Sequence, residues 1–279
     1  MKYTFEKFSS LDAFSDSLNR QVNKPFKAKN SLSSQKYDKE CWSGTRTYTD
    51  ALQLFNYGWT EKADEIRRDF AQFQKVHEAT VSHTKSRPAT AVVGFAPHVP
   101  NAILGLPNSM IYTERQPMKA KVVRIIYNMA MNAGTEAEDI MNTGLTVLKI
   151  AYSLERKGFR VRIDVNPFMS RRDNETACCL VTVKDWRQPI DIKKVAFPIA
   201  HPAMFRRLGF KWLETTPDLK AQGFIYGYGS SLEAPEDAKQ VLKDCGELGD
   251  NDYFLNVRIA KKCKYDVIAT AKAIGITTL

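Results

Sequence analysis

Residues 124–165 read RIIYNMAMNAGTEAEDIMNTGLTVLKIAYSLERKGFRVRIDV, and the fold turns on how they are read. The β-branched run at the start predicts a strand, and RVRIDV at the end predicts another. Between them Ile140, Leu145, Leu148, Ala151 and Leu154 recur at helical spacing. Gly158, just after Lys157, is a natural stop for that helix. Strand, long helix and strand make a βαβ unit, whose crossover joins parallel strands. Ligands in such sheets sit beyond the carboxyl ends of strands. The loop NMAMN at 128–132 therefore stands where a site belongs, yet it offers amides where carboxylates usually act.

The same alternation continues outward. Strands are expected near 121–130, 159–166, 178–184 and 253–259, and helices near 136–157, 191–208, 234–245 and 264–274. Residues 119–279 thus read as an α/β domain with a doubly wound, mainly parallel sheet. Residues 1–118 read as a helical N-terminal region followed by a connector. Its first segment spaces phenylalanines helically among charges, and Ser10 should cap a helix over 9–20 that buries Leu11, Phe14 and Leu18. A polar loop spans 21–40. Two helices then break at Gly58, capped by Thr49 and Thr60, with Trp42 and Trp59 packing the layer. Residues 88–118 carry five prolines and two glycines, which predicts an irregular connector with one short strand at Ala91–Val93.

Composition narrows the function classes. A hydrophobic fraction of 43% and an aromatic fraction of 11% belong to a folded chain. The net charge of +10 favours polyanionic partners, although the basic residues are not in blocks. No apolar run approaches the roughly 18–20 residues that cross a bilayer, and no secretory signal opens the chain, so no membrane partner is expected. Five cysteines without CxxC spacing fit neither a disulfide framework nor a zinc site. The expectation is a cytoplasmic protein of the host cell.

Candidate chemistry is sparse. GYGSSL at 227–232 lacks the glycine and lysine of a phosphate loop, and Ser230 or Ser231 reads as a helix cap. His77, His83, His98 and His201 lack metal-ligand spacing; His201, beside Pro202, reads as bonding a freed carbonyl. Cys178 and Cys179 read as buried fillers on opposite strand faces. Glu136, Glu138 and Asp139 read as helix-start carboxylates. Arg206 and Arg207 suit a solvated helix end. Arg171 and Arg172, in a loop after one strand, and Lys261, Lys262 and Lys264, after another, are the candidate phosphate or nucleic-acid rim at the ligand edge. No catalytic residues, cofactor or metal are expected.

Two resemblances bear on these residues. The layout from Lys121 to about Ile274 resembles a von Willebrand factor A-type domain: strand, ligand loop, long helix, two strands, then further strand–helix units. That resemblance implies a divalent-cation loop of the form Asp-x-Ser-x-Ser, usually holding magnesium. This chain has Asn128, Ala130 and Asn132 at the matching positions, so the metal site reads as degenerate. The whole chain also resembles a group of uncharacterised phage and prophage proteins, through WSGTRTY at 42–48, PHVP at 97–100, LPNSM at 106–110 and AHPAMFRRLGF at 200–210. Together these imply a non-enzymatic, phage-associated protein that binds a phage or host protein at the strand-tip edge. A DNA- or RNA-binding replication or packaging factor stands second, and a metal-assisted enzyme third.

Overall fold

The computed structural model describes residues 2–21, 31, 42–76, 84–117, 121–217, 219, 224 and 227–279. Residues 22–30 and 32–40 of the expected loop, and also Cys41, His77 and His83, lie outside these. The central sheet runs β1 (Lys2–Phe8), β7 (Glu175–Lys184), β6 (Arg160–Arg172), β5 (Val122–Asn128) and β9 (Asp252–Asn256), with the two-residue β8 (Ser230–Ser231) against β6. β5 pairs in parallel with β6 and β9, and β1 with β7, while β6 and β7 form an antiparallel hairpin. The fold is α/β with a mainly parallel central sheet.

Strand alternation sorts the layers. On β1, Tyr3 reaches Asp244 and Lys7 reaches Glu247 on one face, whereas Glu6 accepts from the Trp212 indole on the other, at 2.7 Å. Helix α8 (Pro235–Asp244) thus covers one face. The other carries α1 (Leu11–Leu18), α5 (Ala137–Arg156), α6 (Ile192–Ala200) and α7 (Phe210–Thr215), with α2 (Tyr48–Tyr57) and α3 (Thr60–Val76) packed against α6. Helices α9 (Val257–Lys262) and α10 (Val267–Ala273) flank α5. One hydrophobic core runs through both regions, from Phe8, Phe14 and Phe55 to Ile276.

Several expectations need correction. The opening phenylalanines belong to a strand: Phe5 pairs with Cys179's neighbour Cys178, and Phe8 with Val181. Alternation within KYTFEKF outweighs the spacing of its rings. Ser10 caps α1 as expected, by accepting from Ala13 N–H at 3.1 Å. Thr47, not Thr49, caps α2, through a capping box with Asp50. The proline-rich connector is an ordered arm. Strands β2 (Thr84–Ala91), β4 (Met110–Pro117) and β3 (Ala96–Pro97) form a small antiparallel sheet in the order β2-β4-β3, with a short helix α4 (Val99–Ile103) between. Pro88 is tolerated because β2 is an edge strand.

Arg206 and Arg207 are not a solvated helix end. They lie in a π-helical turn, Met204–Gly209, at 1% and 2% exposure. Pro202 does interrupt the helix, since α6 stops at Ala200 and helical turns resume at Met204. His201, however, accepts at Nδ1 from Ala203 N–H at 3.1 Å and does not use that nitrogen to serve a carbonyl. Cys178 and Cys179 are both buried, and burial pushes each thiol well above its ordinary range.

Candidate binding pocket at the strand tips

The parallel register sets Asn128 opposite Asn166 on one side and Asn256 on the other. Three buried asparagines thus form one row, at the carboxyl ends of β5 and β9 and at the middle of β6. Two of them clamp the chain entering α8. Asn128 Nδ2 donates to the Leu232 carbonyl at 3.2 Å, and Asn256 Nδ2 donates to the Glu233 carbonyl at 2.8 Å. Their oxygens are committed locally: Asn128 Oδ1 accepts from Ala130 N–H at 3.0 Å, and Asn256 Oδ1 caps α9 through Ile259 N–H at 3.1 Å. Asn166 donates to Cys178 Sγ at 2.9 Å, leaving its Oδ1 buried without a hydrogen-bond partner.

The loop beyond β5 is held the same way. Ser231 Oγ donates to the Met131 carbonyl at 2.8 Å, and the Glu233 carboxylate accepts from Asn132 N–H and from Arg258, both at 2.5 Å. Asn132 Oδ1 accepts from Thr135 Oγ1 at 3.3 Å. Ser230 and Ser231 are therefore strand residues, and α8 starts after Ala234 without a side-chain cap. A hard divalent cation needs several oxygen ligands free of other duties. Here Ala130 has none, and the oxygens of Asn128, Asn132 and Glu233 already accept hydrogen bonds. The donor set does not fit magnesium. Among the described residues no group of three His, Cys, Asp or Glu side chains could hold a metal ion.

What the strand tips do enclose is a pocket of about 440 Å³. It is walled by Trp42, Phe168, Phe205, Phe210 and Tyr228, and Asn132, Ser230 and Ser231 also line it. Phe210 is the hub. It stacks on Tyr228 with centroids 4.0 Å apart, and meets Phe205 and Phe168 edge-on at 5.3 and 6.1 Å. Trp42 closes the wall at 6.1 Å from Phe210, and its indole N–H donates to the Ala133 carbonyl at 2.9 Å. The Arg206 guanidinium lies 4.7 Å from the Trp42 ring and donates to the carbonyls of Trp42 and Thr135. Burial lowers Arg206 to about 10, with Glu136 opposing the shift, so the cation persists at neutral pH. Tyr228 is fixed from behind, by its hydroxyl donating to Glu214 at 2.6 Å and by its carbonyl accepting from Ser170 Oγ at 2.5 Å. Gly229 has φ +70°, and a Cβ there would meet Ser170 Oγ at 2.5 Å, so only glycine allows this turn.

The expected cationic rim is divided between elements. Arg171 and Arg172 end β6, beyond the asparagine row; Arg171 lies opposite Ser230 and so borders the pocket. Lys261 and Lys262 end α9, not the strand before it, and Lys264 follows with φ +52°. Lys261 is paired with Asp139 at 2.6 Å, at the start of α5. Burial alone would raise Asp139, but bonds from Lys261 and the Tyr265 hydroxyl and the Lys261 charge outweigh it and hold the carboxyl low. Arg172, Lys262 and Lys264 are exposed. The pocket's aromatic residues are scattered from position 42 to 228, with no local pattern to announce them.

No curated protein and no solved structure matches the chain. A family model does, described as a domain of unknown function (DUF7192), over residues 2–277. That span takes in the sheet, the arm and every wall of the pocket, and the chain belongs to this family.

Proposed function

We propose that this chain is a non-enzymatic, phage-associated interaction protein that binds a phage or host protein by taking an aromatic side chain into the strand-tip pocket. The observation that carries the reading is the aromatic wall around Phe210, immediately beyond the asparagine row. Such a pocket favours a ring by stacking and edge contacts, worth about 0.5–1.5 kcal/mol per pair beyond area burial. Asn132, Ser230 and Ser231 supply the few polar groups that orient a ligand in a mostly apolar site. The von Willebrand A-like reading is supported by element order: β5, loop, α5, β6, β7, α6, then β9 with α9. The phage association rests on the motifs quoted above.

A displayed random-peptide library tests this. Selection on the wild-type protein should enrich peptides around a Trp, Tyr or Phe, and Ala133→Phe, which adds a ring at a residue lining the pocket, should abolish their binding. Enrichment without an aromatic anchor, or binding that survives Ala133→Phe in a folded variant, would remove the pocket from the account.

Exposed Arg172, Lys262 and Lys264 and the charge of +10 favour a second reading, in which the edge holds DNA or RNA. Its signature is retention of oligonucleotides that falls steeply with salt and weakens on joint Arg171→Ala and Arg172→Ala substitution, irrespective of sequence. No retention at low salt leaves the protein-binding reading alone.

A further inference from the structure

We propose that the arm formed by β2, β3, α4 and β4 is a self-association surface, through which two copies of this chain meet tip to tip. Pro88–Thr113 contains no Asp, Glu, Lys or Arg, in a chain where 26% of residues are charged. Within that span Val92, Val93, Phe95, Val99, Ile103 and Leu104 are 59–80% exposed. No described residue of 84–117 belongs to the buried core or to the side chains packed against it.

The tip is nevertheless built. Phe95 N–H donates to the Ile111 carbonyl at 2.8 Å, and His98 N–H donates to Ser109 at 2.7 Å. His98 Nδ1 caps α4 through Asn101 N–H at 3.4 Å, and Asn101 Nδ2 holds the Asn108 carbonyl at 2.8 Å. A Cβ on Gly94 would meet the Ile111 carbonyl oxygen at 2.1 Å, so the backbone crosses here at a distance only glycine permits. The apolar side chains thus project from an ordered scaffold, and little ordering entropy is lost on contact.

Area and charge choose the occupant. Full burial of each such side chain corresponds to on the order of 100 Å². Six together reach about 600 Å², three quarters of the roughly 800 Å² that each partner contributes to a standard interface and the top of the range for the largest patch on a monomer. A chain of net charge +10 repels its own copies over most of its surface. The uncharged tip is where that repulsion is weakest, and an acidic partner would gain nothing by choosing it. Two-fold pairing of one patch with itself is the commonest closed arrangement.

Sedimentation velocity on the full chain is the test. The wild-type protein should sediment as a dimer at micromolar concentration, and Phe95→Asp and Ile103→Asp should each shift it to monomer with an unchanged circular dichroism spectrum. Hydrogen exchange on the wild-type protein needs no variant, and amides of 92–106 should exchange more slowly as concentration rises. A wild-type monomer throughout overturns the proposal, whether or not it binds lipid vesicles. So does a dimer that the folded arm variants leave intact, or exchange in the arm that ignores concentration.

Discussion

Arg207 shows how one side chain fixes a chain path. Its guanidinium donates to Thr45 Oγ1 at 3.0 Å, to the Ser31 carbonyl at 3.2 Å, and to the carbonyls of Thr45 and Arg46 at 2.8 Å each. Replacing it with methionine keeps volume but strands those oxygens in a buried site. Arg207→Met should cost about 3 kcal/mol, read as a lower urea midpoint at unchanged slope. Arg207→Lys should recover only part, because one ammonium cannot span the fork. His201 adds a pH term. It lies between Trp59, 4.6 Å away and edge-on, and Phe197, stacked at 4.8 Å, and burial pushes its imidazole down to about 4 from 6.5. Between those values the unfolded chain binds a proton that the folded chain refuses. The stability tied to this group is full above pH 6.5, declines as pH falls and is spent near pH 4, a change on the order of 3 kcal/mol. His201→Asn should remove this dependence, so the wild-type-minus-variant stability difference, measured by denaturant titration at successive pH values, should fall as pH drops from 6.5 to 4. A difference that keeps the opposite slope would mean the imidazole is charged in the fold.

At the scale of elements, α5 and α6 meet where Gly144 removes a side chain. A Cβ there would lie 2.3 Å from the Ile199 carbonyl oxygen and 2.5 Å from Ala200 Cα, both backbone atoms that cannot swing aside. Gly144→Ala should therefore force the helices apart and cost roughly 1–3 kcal/mol, despite alanine's better helix propensity. An alanine variant as stable as the parent would show that the two helices have room to slide. The length and apolar stripe of α5 made it legible from sequence, as did the β-branched runs of β5 and β7. The β6–β7 hairpin was not. Pro167 lies in the register shift between Val165 and Phe168, so the sequence predicts a strand end near 166 where the strand runs to Arg172. The turn at Asp173–Asn174, with Asp173 at φ +51°, was the available signal. Arg171 and Arg172 read as loop residues for the same reason, although they end β6. That the loop after β5 offers amides and a methyl group at Asn128, Ala130 and Asn132, and no carboxylate, could be read directly from the sequence. The pocket could not, since Trp42, Phe168, Phe210 and Tyr228 converge only through tertiary packing.

Across the whole molecule, the boundary near 118 separates sequence textures more than it separates bodies. The N-terminal region supplies β1, which pairs with β7 over seven residues from Lys2–Glu175 to Phe8–Val181. It also supplies α1, α2 and α3, whose Phe14, Phe55, Ile66 and Phe70 are buried in the common core. Arg206 and Arg207 reach back from the sheet domain to grip Trp42, Thr45 and Arg46, and Trp212 reaches Glu6 at 2.7 Å. Residues 119–279 expressed alone would expose the β7 edge, leave two buried guanidinium groups without those acceptors and uncover the outer face of α6. Each loss costs several kcal/mol, against a total stability of about 5–15 kcal/mol for an ordinary domain. The fragment should aggregate, or persist as a loosened state with far-UV but little near-UV circular dichroism and no cooperative melt. Adding back residues 1–118 as a separate chain should restore the near-UV signal, because the missing contacts are noncovalent. A fragment that is soluble and melts sharply by itself would show that the sheet closes its core without β1 and the helices above it.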